Sequence, residues 1–205
     1  MSLSMKFVEA VAFASDAHAG QVRKGTQIPY ISHPLAVATL VLEFGGSEEL
    51  AIAGLLHDVV EDCNPVYGNA IADVFGGRVA AIVLKLTDGV VGADGKKPEW
   101  RERKEKYIAR LKDAGPDVLL VKACDAIHNA SATLEDLKRD GLQAFERFRG
   151  GVDGTLWYYL EVAKACRSTA AGVKIWQVYT DMAKIVEGLK TDQLRCVIFY
   201  GGRDE

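Results

Sequence analysis

Four residues that can bind a metal ion lie in or beside apolar segments: His33, His57, Asp58 and Asp125. The run from Leu50 to Val60 is apolar except for its His-Asp pair, and Asp125 ends the apolar run VLLVKACD. A buried ionised carboxylate is costly unless it is paired or binds a metal. Two nitrogen and two oxygen donors suit a first-row divalent ion such as manganese, iron or zinc. The pattern therefore predicts a divalent metal site.

Three further polar residues follow the candidate ligands at helical spacing. Glu61 lies four residues after His57, so on a helix their side chains share a face, with Cβ atoms about 5–6 Å apart. Asp62 stands in the same relation to Asp58, and Asn129 lies one turn beyond the last of the four ligands. The Glu61 carboxylate could therefore accept a proton beside the metal, and the Asn129 amide could both donate and accept hydrogen bonds.

Each of these residues also has a purely structural interpretation. A single His-Asp dipeptide is usually structural or solvated, and His33 before a proline is typical of a helix start. Asp125 could lie on the surface of an amphipathic helix, and Glu61-Asp62 could be a solvated helix end. His18 and His128 have no compelling partner of their own, so we expect them to be structural or to support the site from outside. The order and the apolar setting of the four ligands together favour the metal site.

The composition limits which classes of protein the chain can belong to. The 205 residues are 49% hydrophobic and 26% charged, as in soluble globular proteins that need no disulfide or metal staples. A net charge of −3 offers no basic surface for a nucleic-acid duplex, and no segment approaches the roughly 20 apolar residues of a membrane span. The four cysteines form no C-x-x-C pair, and no signal peptide is evident. We therefore expect a cytoplasmic protein with neither a nucleic-acid nor a membrane partner, and the oligomeric state stays open.

Helical periodicity and helix punctuation dominate the chain and predict an all-α fold. Ser47 and Pro116 are typical helix starts, and Gly45-Gly46 is a typical stop. We predict a single compact multi-helix domain over residues 1–205, with the motifs in about 5–165 and a C-terminal helical extension over 166–205. Leu194–Tyr200 is predicted to be a short terminal strand.

The motifs as a whole resemble a known family. They are HAGQVRK (18–24), PYISHP (29–34), LLHDVVED (55–62), LTD (86–88), Arg101–Lys104 and KACDAIHN (122–129). This set of motifs resembles that of the HD-domain metal-dependent phosphohydrolases, whose ligand pattern is His…His-Asp…Asp. More narrowly, it is similar to the hydrolase domain of the RelA/SpoT family, especially the stand-alone small alarmone hydrolases. The resemblance is good over residues 7–135 and weak over 150–165.

The resemblance implies hydrolysis of the 3′-pyrophosphate of guanosine tetra- or pentaphosphate (ppGpp or pppGpp). The products would be GDP or GTP and pyrophosphate, and the metal would be manganese. It implies that the metal ligands are His33, His57, Asp58 and Asp125. It further implies that Glu61 with Asp62 activates the nucleophile and that Asn129 orients water or substrate. Arg23 and Lys24 would contact the nucleotide, and Tyr158 would line its pocket.

Two departures from the family pattern leave the substrate open. Ala126 stands where the family has an arginine or lysine, and the arginine usually found just beyond Asn129 is missing. An HD-type nucleotidase acting on another nucleotide, and a binding module that has lost turnover, are the alternatives. The intact Glu61-Asp62 pair argues against the binding module. Lys96 and Lys97 could reach a phosphate but are expected to be solvated. No synthetase segment follows, so we do not expect alarmone synthesis.

Overall fold

The computed structural model describes residues 2–89 and 98–200, with side chains through residue 191. Lys96 and Lys97 therefore lie outside the described residues. The helices are α1 (Met5–Ala17), α2 (Ser32–Glu43), α3 (Glu48–Leu56), α4 (Tyr67–Phe75), α5 (Gly77–Leu86), α6 (Trp100–Lys112), α7 (Pro116–Asp140), α8 (Gly151–Ala165) and α9 (Gly172–Tyr200). A π-helical turn spans Val59–Cys63, and a 3-10 helix spans Gly141–Phe145. The all-α prediction is confirmed.

Local chemistry sets several helix ends as the sequence predicts. The Ser47 side chain accepts a hydrogen bond from the backbone N–H of Leu50 and so caps α3. Pro116 begins α7, where its missing N–H costs no helical hydrogen bond. Gly45, just after α2, has a φ of 80°, a left-handed conformation that favours glycine.

Helix α7 forms the centre of the fold and carries one candidate ligand into it. It packs against α2, α3, α5, α8 and α9. Along its 25 residues it buries mostly apolar side chains, yet Lys122 and Asp125 are also buried. A helix surrounded in this way brings one carboxylate next to residues supplied by α2 and by the end of α3.

The predicted terminal strand is wrong. Residues 194–200 continue α9 as a helix, although their β-branched and aromatic residues favour a strand. A strand there would leave its backbone N–H and C=O groups unpaired, because the described residues offer only one isolated β-bridge, between Val22 and Pro29. Extending α9 pairs each N–H with the carbonyl four residues earlier.

The division of the chain remains a prediction. The expected boundary at residue 165 coincides with the end of α8, and α9 then packs along α7 and α8.

Within the described part of the chain, no helix is both long and apolar enough to span a bilayer. Cys63, Cys124 and Cys166 are free thiols.

Candidate metal centre

The four candidate ligands converge from three separate segments. His33 comes from α2, His57 and Asp58 from the turn that ends α3, and Asp125 from α7. The Nε2 atom of His33 lies 3.5 Å from Asp58 Oδ2 and 3.2 Å from Asp125 Oδ1. The Nε2 atom of His57 lies 3.1 Å and 3.7 Å from the same two oxygens. Two imidazole nitrogens and two carboxylate oxygens therefore face one another.

The two imidazoles fit a divalent cation better than they fit hydrogen bonds to the carboxylates. Both Nε2 atoms are buried, and neither makes a hydrogen bond of good geometry in the described structure. His57 Nδ1 lies 2.8 Å from the carbonyl oxygen of Gly54, to which it must donate its proton. This hydrogen bond leaves the lone pair of His57 on Nε2, as a metal ligand requires. Together with Asp58, the two histidines offer ligand atoms within 4.8 Å of one another.

Burial and neighbouring charges perturb these groups strongly. Burial alone would lower the pKa of His57, but Asp58 and Asp125 outweigh it and raise that pKa well above its usual value. Burial acts to raise the pKa of Asp58, but His57 and His33 hold it well below the usual range. The pKa of Asp125 is likewise low because Lys122 and the histidines outweigh burial. Without a cation the cluster attracts a proton to His57, so protons and a metal compete for one centre.

The backbone changes form at the His-Asp pair, which corrects one expectation. Helix α3 ends at Leu56, and the π-helical turn Val59–Cys63 follows, with the N–H of Asn64 bonded to the carbonyl of Val59. The expectation that Glu61 shares a regular helical face with His57 is therefore wrong, because an α-helix does not connect the two. Single π-turns inside helices are frequent at functional sites.

Tyr30 supports Asp58 and was given no role on sequence grounds. Its hydroxyl donates to Asp58 Oδ2 at 2.6 Å and lies 3.3 Å from Asp62 Oδ2. Burial and the two carboxylates raise the pKa of Tyr30, so the hydroxyl keeps its proton and can donate it. The only sequence signal was its place in the motif PYISHP.

Asp125 is held by two neighbours on its own helix, and one of them is bonded in turn to a residue from another segment. Lys122 Nζ donates to Asp125 Oδ2 at 2.6 Å, and Asn129 Nδ2 donates to Asp125 Oδ1 at 2.6 Å. Arg23 Nη2 in turn donates to Asn129 Oδ1 at 2.6 Å. The chain Arg23–Asn129–Asp125 links a predicted substrate-binding residue to a predicted metal ligand. Lys122, buried in an apolar run, was not assigned a role from the sequence.

Glu61 is oriented by the segment after α5 and by α6. Its Oε2 accepts from the backbone N–H of Asp88 at 2.9 Å, and Arg103 Nη1 lies 3.5 Å from its Oε1. Arg103 also donates to Asp88 Oδ2 at 2.8 Å, and Lys104 donates to the same oxygen. The carboxylate of Glu61 is thus fixed by a charged network. Asp88, Arg103 and Lys104 lie in the sequence motifs, but their role in orienting Glu61 was not predicted.

The candidate ligands open onto a charged cleft. His57, Asp58 and Asp125 line it, and its volume of 880 Å³ lies within the range of small-molecule sites. Its wall also includes all three predicted substrate-binding residues: Arg23, Lys24 and Tyr158. The ring of Tyr158 lies 4.6 Å from Lys104 Nζ and 5.5 Å from Lys122 Nζ. The cleft wall therefore contains lysines although Ala126 and the residues just after Asn129 carry no cation, but both lysines are paired with acids: Lys104 with Asp88 and Lys122 with Asp125.

Comparison with known proteins gives one family. A protein-family model described as HD domain matches residues 10–150. The chain is 35% identical over 165 residues to the guanosine-3′,5′-bis(diphosphate) 3′-pyrophosphohydrolase MESH1 of Xenopus tropicalis. The alignment covers 79% of this chain and 85% of that protein. It is 37% identical over 133 residues to the Haemophilus influenzae guanosine-3′,5′-bis(diphosphate) 3′-pyrophosphohydrolase, but spans only 18% of its length.

The fold has a counterpart among solved structures. A structure described as a metazoan ortholog of SpoT that hydrolyzes ppGpp matches with a TM-score of 0.70 and 25% identity. The match covers 88% of this chain and 97% of that chain. The similarity therefore extends over nearly the whole of a solved relative.

Proposed function

The chain belongs to the HD-domain family, and we propose that it is a metal-dependent phosphohydrolase that removes the 3′-pyrophosphate of guanosine tetra- and pentaphosphate. The observation that carries the proposal is the convergence of His33, His57, Asp58 and Asp125 beside a cleft that cations line. The names of the Xenopus and Haemophilus relatives describe this activity, which supports the choice of substrate.

A divalent cation would be held by the two Nε2 atoms and the carboxylates of Asp58 and Asp125. We propose manganese because the resemblance to the alarmone hydrolases implies it; the mixed nitrogen and oxygen donor set suits manganese, iron and zinc alike. When bound, the ion supplies Lewis-acid polarisation of a phosphoryl oxygen. Tyr30 and Lys122 keep the two carboxylates in place through their hydrogen bonds of 2.6 Å.

Glu61 and Asp62 would handle the proton of the attacking water. The Glu61 carboxylate is held between the backbone N–H of Asp88 and the guanidinium of Arg103, so its position is set before substrate arrives. Asp62 lies beside the Tyr30 hydroxyl, on the same turn as Glu61. A carboxylate oxygen of Glu61 would accept the proton, and Asn129 would orient water or substrate.

The cleft contains cationic side chains that could contact the phosphate groups of the substrate. Arg23 and Lys24 line it, and Lys104 and Lys122 lie against the ring of Tyr158. Arginine and lysine are the side chains that bind phosphate best. The changes at Ala126 and after Asn129 therefore do not leave the cleft without cations.

A nucleotide panel tests the proposal. The metal-stripped protein is given Mn²⁺ and offered ppGpp, GTP, GDP and a set of deoxynucleotides and nucleoside monophosphates. We expect pyrophosphate and GDP from ppGpp, at a higher kcat/KM than any phosphate release from the others. If another nucleotide is the better substrate, the site is an HD-type nucleotidase instead.

A matched pair of variants separates a hydrolase from a binding module. Glu61→Gln removes the proton acceptor and should lower kcat by about 10²–10⁴-fold while bound metal stays normal. The control is Glu135→Gln, which also lines the cleft but pairs with Lys138 at its exposed rim. Unchanged turnover in Glu61→Gln would remove Glu61 from the mechanism. Absence of turnover of every nucleotide by the unmodified protein would favour a binding module.

A further inference from the structure

The two histidine ligands differ in what their second ring nitrogen contacts. His57 Nδ1 faces the carbonyl oxygen of Gly54, whereas His33 Nδ1 faces Nδ1 of His128, at 2.8 Å in both cases. A carbonyl oxygen can only accept, so His57 is locked with its proton on Nδ1. An imidazole nitrogen can either donate or accept. The tautomer of His33 therefore depends on the tautomer of His128.

We propose that His128 is a positioning residue that holds His33 in the tautomer that binds the metal. The inference rests on the proposed metal site. A ligand needs its lone pair on Nε2, so His33 must carry its proton on Nδ1 and donate it to His128 Nδ1. His128 then carries its own proton on Nε2. Because His128 lies three residues after Asp125 on α7, one helix supplies both a ligand and the support of another.

The same pair can adapt when no metal is present. With protons on His33 Nε2 and His128 Nδ1, the bond between the rings persists in the opposite direction. The Nε2 proton of His33 then points toward Asp125 Oδ1, 3.2 Å away. Passing to the ligand tautomer moves one proton from His128 to His33 across the bond. The proton of His33 Nε2 is released to solvent when the metal binds, and His128 Nε2 takes one up from the water of the cleft that His128 lines, so the net charge of the pair is unchanged.

The packing of His128 agrees with a positioning role. Its ring lies 4.9 Å from that of His33, centroid to centroid, with 33° between the planes. Its side chain is half-buried and lines the cleft. Supporting hydrogen bonds of this kind are typical of metal-binding histidines, although the partner is more often a carbonyl or a carboxylate.

Two variants of similar size test the proposal through metal affinity. His128→Leu removes the acceptor, whereas His128→Asn keeps an oxygen near the position of Nδ1. The readout is the Mn²⁺ dissociation constant, measured on the full chain by competition with a chelating indicator. We expect His128→Leu to weaken Mn²⁺ binding by about 10–100-fold and His128→Asn to stay close to the unmodified protein.

His57→Ala distinguishes failure of this inference from failure of the metal site. If His57→Ala loses Mn²⁺ while His128→Leu binds it normally, the role of His128 is refuted and the site stands. If His57→Ala binds Mn²⁺ normally, the metal site itself is refuted. Equal losses in His128→Leu and His128→Asn would also refute the role, because the acceptor would then not matter.

A measurement on the unmodified protein avoids any folding defect of the variants. The chain has only four histidines, so its ¹⁵N histidine spectrum is simple. With diamagnetic Zn²⁺ as the probe, we expect the proton of His33 on Nδ1 and an unprotonated Nδ1 on His128. A protonated His128 Nδ1 in the Zn²⁺-loaded protein would overturn the proposal.

Discussion

Replacing Tyr30 with phenylalanine isolates one hydrogen bond to a candidate ligand. The hydroxyl donates to Asp58 Oδ2 at 2.6 Å, while the ring packs 4.7 Å from the ring of His18. Phenylalanine keeps the ring and removes only the donor. A hydrogen bond to a charged group contributes about 1.5–3 kcal/mol. We expect the metal-free protein to lose about that much free energy of unfolding, which for a chain of this size lowers the Tm by roughly 3–12 °C.

Tyr107→Phe is the matched control for this prediction. The Tyr107 hydroxyl is also buried but has no hydrogen-bond partner in the described structure. Removing an unpaired buried hydroxyl costs nothing and can stabilise. The assay is urea and thermal unfolding of both variants in excess chelator. The Tyr30 hydroxyl has no stabilising role if Tyr30→Phe unfolds like the unmodified protein, or if Tyr107→Phe loses as much stability.

Three other perturbations have expected outcomes. Arg23→Ala should raise KM for ppGpp more than it lowers kcat, because among the described residues Arg23 reaches the ligand Asp125 through Asn129 and not directly. An unchanged KM would exclude Arg23 from substrate binding. The pKa of His57 is higher in the folded protein than in the unfolded chain. Protonated His57 therefore contributes its full share to the free energy of unfolding below about pH 6.5, and this contribution is lost as pH rises through the folded pKa. The free energy of unfolding of the metal-free protein should therefore fall from neutral to alkaline pH. Over the same range Mn²⁺ should bind more tightly, because the His57 proton that competes with it leaves. The opposite trends would contradict a raised pKa of His57. Gly150→Ala should lower the free energy of unfolding by about 1–3 kcal/mol, because the new Cβ would lie 2.6 Å from the Trp100 ring. The control is Gly77→Ala, which should be tolerated because nothing lies within 4 Å of its Cβ. Equal effects of the two variants would show that the contact with Trp100 does not matter.

The sequence predicted the candidate ligands because they interrupt apolar runs. A histidine or aspartate within a buried helix must be explained by a partner or an ion, so His57 and Asp125 stood out. Helix starts at Ser47 and Pro116 were equally predictable, because capping chemistry is local. What could be predicted was therefore which residues are candidate ligands and where several of the helices around them begin.

The supporting residues could not be predicted in the same way. Tyr30 acts on Asp58 from 28 positions away, and a single tyrosine leaves no periodic signal. The π-helical turn depends on one extra residue in a helical segment, and this barely disturbs the apolar pattern around Glu61. The strand predicted at 194–200 failed because local propensity carries no information about whether a pairing strand exists.

The charge balance of the cleft ties metal binding to substrate binding. Within the described residues, seven arginine and lysine side chains line it, and so do seven aspartate and glutamate side chains. Several of these cations are already paired with acids: Lys122 with Asp125, and Arg103 and Lys104 with Asp88. A divalent cation at the candidate centre would neutralise Asp58 and Asp125 and leave the cleft with an excess of positive charge. A polyphosphate should therefore bind the metal-loaded protein more tightly than the stripped one, and by linkage it should tighten metal binding by the same factor.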